Sequence, residues 1–82
     1  MASKKRYILL NSIGRAREFV DIATKFSGDI TLVSNRGKID GKSLINILST
    51  DIRNPMEIQI FSQKSDNEDA FIREIEHFLV EE

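Results

Sequence analysis

The chain has 82 residues, 40% of them hydrophobic and 30% charged, with a net charge of −1 and no cysteine. That size and balance fit one folded domain spanning residues 1–82 and exclude a disulfide framework, a thiolate zinc site and a strongly basic nucleic-acid binder. No apolar run approaches the ~20 residues of a membrane span; "YILL" after Lys4-Lys5-Arg6 is too brief for a secretory core, so a cytoplasmic chain that does not enter a membrane is expected.

"RYILLN", Arg6 to Asn11, reads as a strand that stops at Asn-Ser. From Ile13 the period becomes helical. Ala16, Phe19, Val20, Ala23 and Phe26 form one face, with Arg15, Arg17, Glu18, Asp21 and Lys25 largely opposite. Ser12 is the expected N-cap and Gly28 the expected stop. "DITLVS", Asp29 to Ser34, is a second strand, and Asn35-Arg36-Gly37 a turn, because Asn and Gly tolerate positive φ. "KID" pairs back as a third strand.

Gly41 then breaks the chain and Ser43 opens a short helix with an apolar stripe of Leu44, Ile47 and Leu48, which leaves Ile45 outside it. Asn54-Pro55 marks a turn, and "MEIQIF" alternates with Met56, Ile58 and Ile60 inward. Ser65-x-x-Glu68 has the form of a capping box. Phe71, Ile75, Phe78 and Leu79 line one face of a last helix, with His77, the only histidine, on its polar side. The expected fold class is α+β: a βαββαβα chain, with a four-stranded antiparallel sheet and three helices on one face.

From about Phe19 onward the sequence resembles the histidine-containing phosphocarrier protein (HPr) of the bacterial sugar phosphotransferase system. The likeness rests on "ATKFSGDITL", the hairpin "NRGKIDGKSLINIL", "MEIQI" and the acidic "SDNEDA" before the last helix. It implies an open-faced β-sandwich. It also implies a His-x-Arg-Pro motif at the start of the first helix, whose histidine accepts phosphate from a phosphorylated enzyme. The matching region here is "NSIGRARE". Aligning on "TKF" places Ser12 at the histidine position; aligning on the preceding strand places Gly14 or Arg15 there. No placement supplies a histidine or the proline. A serine hydroxyl without a base is a poor nucleophile, whereas reversible phosphoryl carriage suits a neutral imidazole.

The resemblance further makes Ser43 the counterpart of a serine that a dedicated kinase phosphorylates in Gram-positive members. Leu44, Ile45 and Leu48 match an apolar patch that docks partners. Arg15 and Arg17, on the first turns of the first helix, are candidates for binding an acidic partner surface or an anion near the helix start. Ser43 is also a good N-cap in its own right. The partners so implied are proteins, a serine kinase or a transcriptional regulator among them, not nucleic acid. There is no Gly-rich phosphate loop, no metal-ligand cluster and no nucleophile–base pair of recognisable spacing, so neither an enzyme nor a cofactor is expected. The resulting expectation is an HPr-like regulatory or protein-binding variant without the carrier histidine. A phosphocarrier using another residue and an unrelated α+β interaction domain are the alternatives.

Overall fold

A computed structural model describes residues 5–62 and 65–80. The elements are β1 (Arg6–Ile8), α1 (Ile13–Lys25), β2 (Asp29–Ser34), β3 (Gly37–Asp40), α2 (Leu44–Leu48), β4 (Met56–Phe61), α3 (Ser65–Glu74), a 3-10 turn (Glu76–Phe78) and β5 (Leu79–Val80). They build one antiparallel sheet in the order β3-β2-β4-β1-β5. β4 therefore lies between β1 and β2, although it enters the chain long after both.

The register explains the two faces. Ile8 pairs with Met56, Leu32 with Ile58 and Ile30 with Ile60. All but Ile60 in these pairs are buried, beneath Ala16, Phe19 and Ala23 of α1, Ile47 of α2 and Phe71 of α3. The opposite face carries Thr31 against Gln59 and Asp40, and Val33 against Glu57 and Lys38. None of those six is buried, so the sandwich is open on that side. Four phenylalanines knit the helices and the 3-10 turn together. The Phe19 ring meets Phe78 at 5.7 Å and 90° and Phe71 at 6.4 Å, while Phe26 lies 4.9 Å from Phe71. Edge-to-face pairs of this kind add to the burial of the rings themselves.

Several expectations need correction. β1 ends at Ile8, not at Asn11, because the following backbone turns to other partners. Leu9 N–H donates to Phe78 O (2.9 Å) and Asn11 N–H to Ile52 O (2.8 Å), while Leu10 plugs the core. Asn11 itself adopts φ 70°, which a short polar side chain tolerates. α1 ends at Lys25 with Phe26 as an extended C-cap, so Gly28 is not its stop. Gly28 has another reason to lack a side chain: a Cβ there would collide with Phe61 O and the Phe26 ring. β3 starts one residue early, at Gly37, whose φ of 113° closes the hairpin. Ile60 is only half-buried, since the last inward row, flanked by Arg6, Ile58 and Glu68, stays open.

The largest correction is at the end of the chain. The last helix stops at Glu74, a 3-10 turn follows, and Leu79 and Val80 pair with Ile8 and Tyr7 as a fifth strand. His77 therefore sits in the turn and not on a helix. The capping-box side chain of Ser65 lies outside the described residues, as do Lys4, Glu81 and Glu82.

Candidate functional site

The resemblance directs attention to the start of α1. Ser12 is extended (φ −153°, ψ 160°) and its Oγ accepts the amide of Arg15 at 3.2 Å, which makes it the N-cap. Ile13 follows at 65% exposure, and Gly14 faces open space. Ser12, Gly14 and Arg15, the three positions aligned with the carrier histidine, thus supply a capping hydroxyl, a bare backbone and a guanidinium.

That guanidinium turns into the fold. Arg15 Nε donates to Leu10 O (2.8 Å), and Nη2 donates to both Leu9 O and His77 O (3.1 Å each). Its Cζ lies 4.8 Å from the centre of the Phe78 ring. One side chain therefore ties the β1–α1 loop to the 3-10 turn, and its Nε and Nη2 donors are turned inward, away from an acidic partner. Arg17 remains exposed. Beside this clamp, His77 Nε2 lies 3.1 Å from Glu18 Oε2, with the two side chains 48% and 55% exposed. The sequence places His77 on the polar side of the last helix; the early end of α3 puts it in the 3-10 turn, against the first turns of α1.

The second candidate cluster is around α2. Ser43 is an extended N-cap whose Oγ accepts the Asn46 amide at 3.3 Å, and it is half-buried. The turn before it is held by Asp40, whose Oδ1 accepts the Lys42 amide (2.9 Å) and whose carbonyl accepts the Ser43 amide (3.2 Å). Lys42 is not a free surface charge: its Nζ donates to Phe26 O at 2.7 Å, beyond the last turn of α1, where a cation is favoured. Ile47 is buried and Leu44 half-buried against the core, while Leu48 is 38% and Ile45 82% exposed. A five-residue helix can bury only one turn of its stripe, which is why Leu48 escapes.

Ile13 is a candidate the sequence reading missed. It lies at the same helical spacing as Ala16 and Val20, so periodicity alone assigns it inward; only the three-dimensional end of the core leaves it uncovered. The described residues hold no cluster of three or more His, Cys, Asp or Glu able to bind a metal, and none of their helices is long and apolar enough to cross a membrane. Among the described residues, the pair with a clear electrostatic effect lies elsewhere, in the loop before β4. There Asp51 is held below the usual carboxylate range by hydrogen bonds from the Arg53 side chain and then the Arg53 amide. It orders the loop and takes no part in either cluster.

The family model described as "PTS HPr component phosphorylation site" matches residues 14–81. The chain belongs to the HPr family. An unrelated α+β domain is thereby ruled out, and the chain is a phosphocarrier-family protein whose relatives work with other proteins. The matched stretch of this HPr-family chain begins at Gly14, two residues beyond Ser12. Among solved structures, the chain is similar to "HPr-C-His" from Thermoanaerobacter tengcongensis, whose crystal structure aligns over 90% of this chain and 92% of that one. The TM-score is 0.67 and the sequence identity 23%. At that identity the likeness speaks for the fold.

Proposed function

We propose that this HPr-family chain is a cytoplasmic, single-domain protein-binding module with a regulatory role, not a carrier of phosphate at the start of α1 and not a catalyst. The observation that carries the reading is the chemistry of that helix start. Ser12 is committed to capping, Gly14 has no side chain, and Arg15 is bound to three backbone carbonyls. None of the three is a nucleophile matched to reversible phosphoryl exchange at neutral pH.

The docking face in this reading comprises Ile13, Ile45 and Leu48, with Leu44 behind them and Arg17 at the margin. α1 and α2 pack together, and their exposed apolar side chains are those most in want of a partner surface. Ser43 is the regulatory position. Phosphorylated by a serine kinase, it would keep an oxygen at the helix start and place about −1.5 to −2 charges beside Ile45. A transcriptional regulator or another protein of the phosphotransferase system is the kind of partner that such a charge would admit or repel.

The test has two arms. With phosphoenolpyruvate and the general phosphotransfer enzyme, phosphate should be absent from residues 11–15; an acid-labile group mapped there would overturn the reading. In an NMR titration with the same enzyme, shifts should concentrate on Ile13, Arg17, Ile45 and Leu48. Shifts confined to Thr31, Val33, Glu57 and Gln59 would move the docking surface to the open sheet face.

A further inference from the structure

β3 forms one edge of the sheet, with no strand beyond it among the described residues. The direction of its backbone groups follows from the ladder, because bonded and non-bonded pairs alternate between antiparallel strands. Gly41 N–H donates to Ile30 O at 2.8 Å, so the next bonded pair in the same register is Ile39 with Leu32. Lys38 and Asp40 therefore turn their N–H and C=O groups outward, away from β2. Asp40 O accepts the Ser43 amide (3.2 Å) and keeps a second lone pair. The Lys38 N–H and C=O and the Asp40 N–H have no partner among the described residues. The Lys38 ammonium is likewise unpaired there, and the Asp40 carboxylate spends one oxygen on the Lys42 amide. Both residues are exposed, and Ile39 between them is half-buried.

An open strand edge is a template for another strand. From this one we propose that β3 pairs antiparallel with β3 of a second copy of the chain, about a two-fold axis at Ile39, so that two sheets join edge to edge. Charge selects the register. Outward groups meet outward groups when Lys38 faces Lys38, when Asp40 faces Asp40, or when each Lys38 faces the other copy's Asp40. The first two set like charges directly opposite, which is unfavourable; the third makes two opposite-charge pairs. A shift of one residue sets outward groups against inward ones and loses the bonds. In the selected register both charge pairs lie on the open face of the sheet, clear of the helices. On the other face the two Ile39 side chains meet and prolong the row that packs on the core. Gly37 stands opposite Gly41 at each end, where no side chain obstructs the approach. The contact uses neither the start of α1 nor the exposed side chains of α2, so it goes beyond the docking reading and leaves that reading intact.

So short an interface belongs to the weak class, so the full chain is followed at rising concentration by sedimentation equilibrium and amide NMR. The mass should climb toward that of a dimer, with shifts centred on Lys38 and Asp40. Lys38→Asp and Asp40→Lys, each checked for folding by circular dichroism, should each weaken self-association about tenfold or more, because both charge pairs become repulsive. Mixed in equal amounts, the two variants are complementary again and should pair as the parent does. Asp40→Asn keeps an oxygen for the Lys42 amide and should weaken association without touching that turn. Ile45→Glu should leave it unchanged. A parent that stays monomeric at every concentration, association indifferent to Lys38→Asp, no pairing between the two folded variants, or loss of association in Ile45→Glu would each overturn the proposal.

Discussion

At the scale of single residues, Arg15 does most to define the start of α1. Hydrogen bonds to a charged group contribute about 1.5–3 kcal/mol, and Arg15 directs three of them at carbonyls of two separate segments. Arg15→Ala should lower unfolding free energy by about 2–3 kcal/mol in a urea titration. Arg15→Lys should recover less than half of that, because an ammonium is a point charge and cannot fork between carbonyls. Loss below about 0.5 kcal/mol for Arg15→Ala would mark the clamp as surface decoration. The two capping serines were legible in the sequence, since each precedes an apolar helical run within reach of a free amide. Arg15 was not. Its position on the polar arc of α1 suggests solvent, and the carbonyls that hold it come from Leu9, Leu10 and His77, the last 62 positions away.

The elements show the same division between local and distant causes. Met56–Phe61 and Asp29–Ser34 stand where alternation put them, because a strand with one buried face writes its period into the sequence. Truncation there should be costly: Ile58→Ala or Phe19→Ala should destabilise by about 2–5 kcal/mol, measured as a shift in urea midpoint at constant slope. A change under about 1 kcal/mol at both positions would contradict the burial described. The end of α3 was illegible for the opposite reason. Phe71, Ile75, Phe78 and Leu79 keep a helical spacing, yet the backbone leaves the helix after Glu74 so that Phe78 O can accept from Leu9 and Leu79 can pair with Ile8. Two residues of strand carry no period of their own; β1 decides them.

For α2, the expected consequence is a separation of stability from binding. Ser43→Asp should leave the unfolding midpoint nearly unchanged, since a carboxylate also caps a helix and suits its dipole. It should change affinity for a protein partner through charge next to Ile45. Ile45→Glu, at a side chain 82% exposed, should weaken the same partner at least tenfold in a calorimetric titration while costing under about 0.5 kcal/mol of stability. Equal affinity in both variants would remove α2 from the docking face.

On the scale of the whole molecule, the sheet order has an effect on how the chain can be divided. The largely exposed loop 51–55 separates a first piece that holds β1, β2 and β3 from a second that holds β4 and β5. In the first piece β1 has no neighbour, because both of its partners belong to the second; in the second, β4 and β5 do not touch, because β1 runs between them. The pieces interdigitate like the fingers of two hands. Made separately as residues 1–53 and 54–82, neither should fold. Mixed, they should reassociate in one cooperative step, visible as regained circular dichroism. If so, the molecule is a ready-made split reporter whose halves carry no structure of their own until they meet.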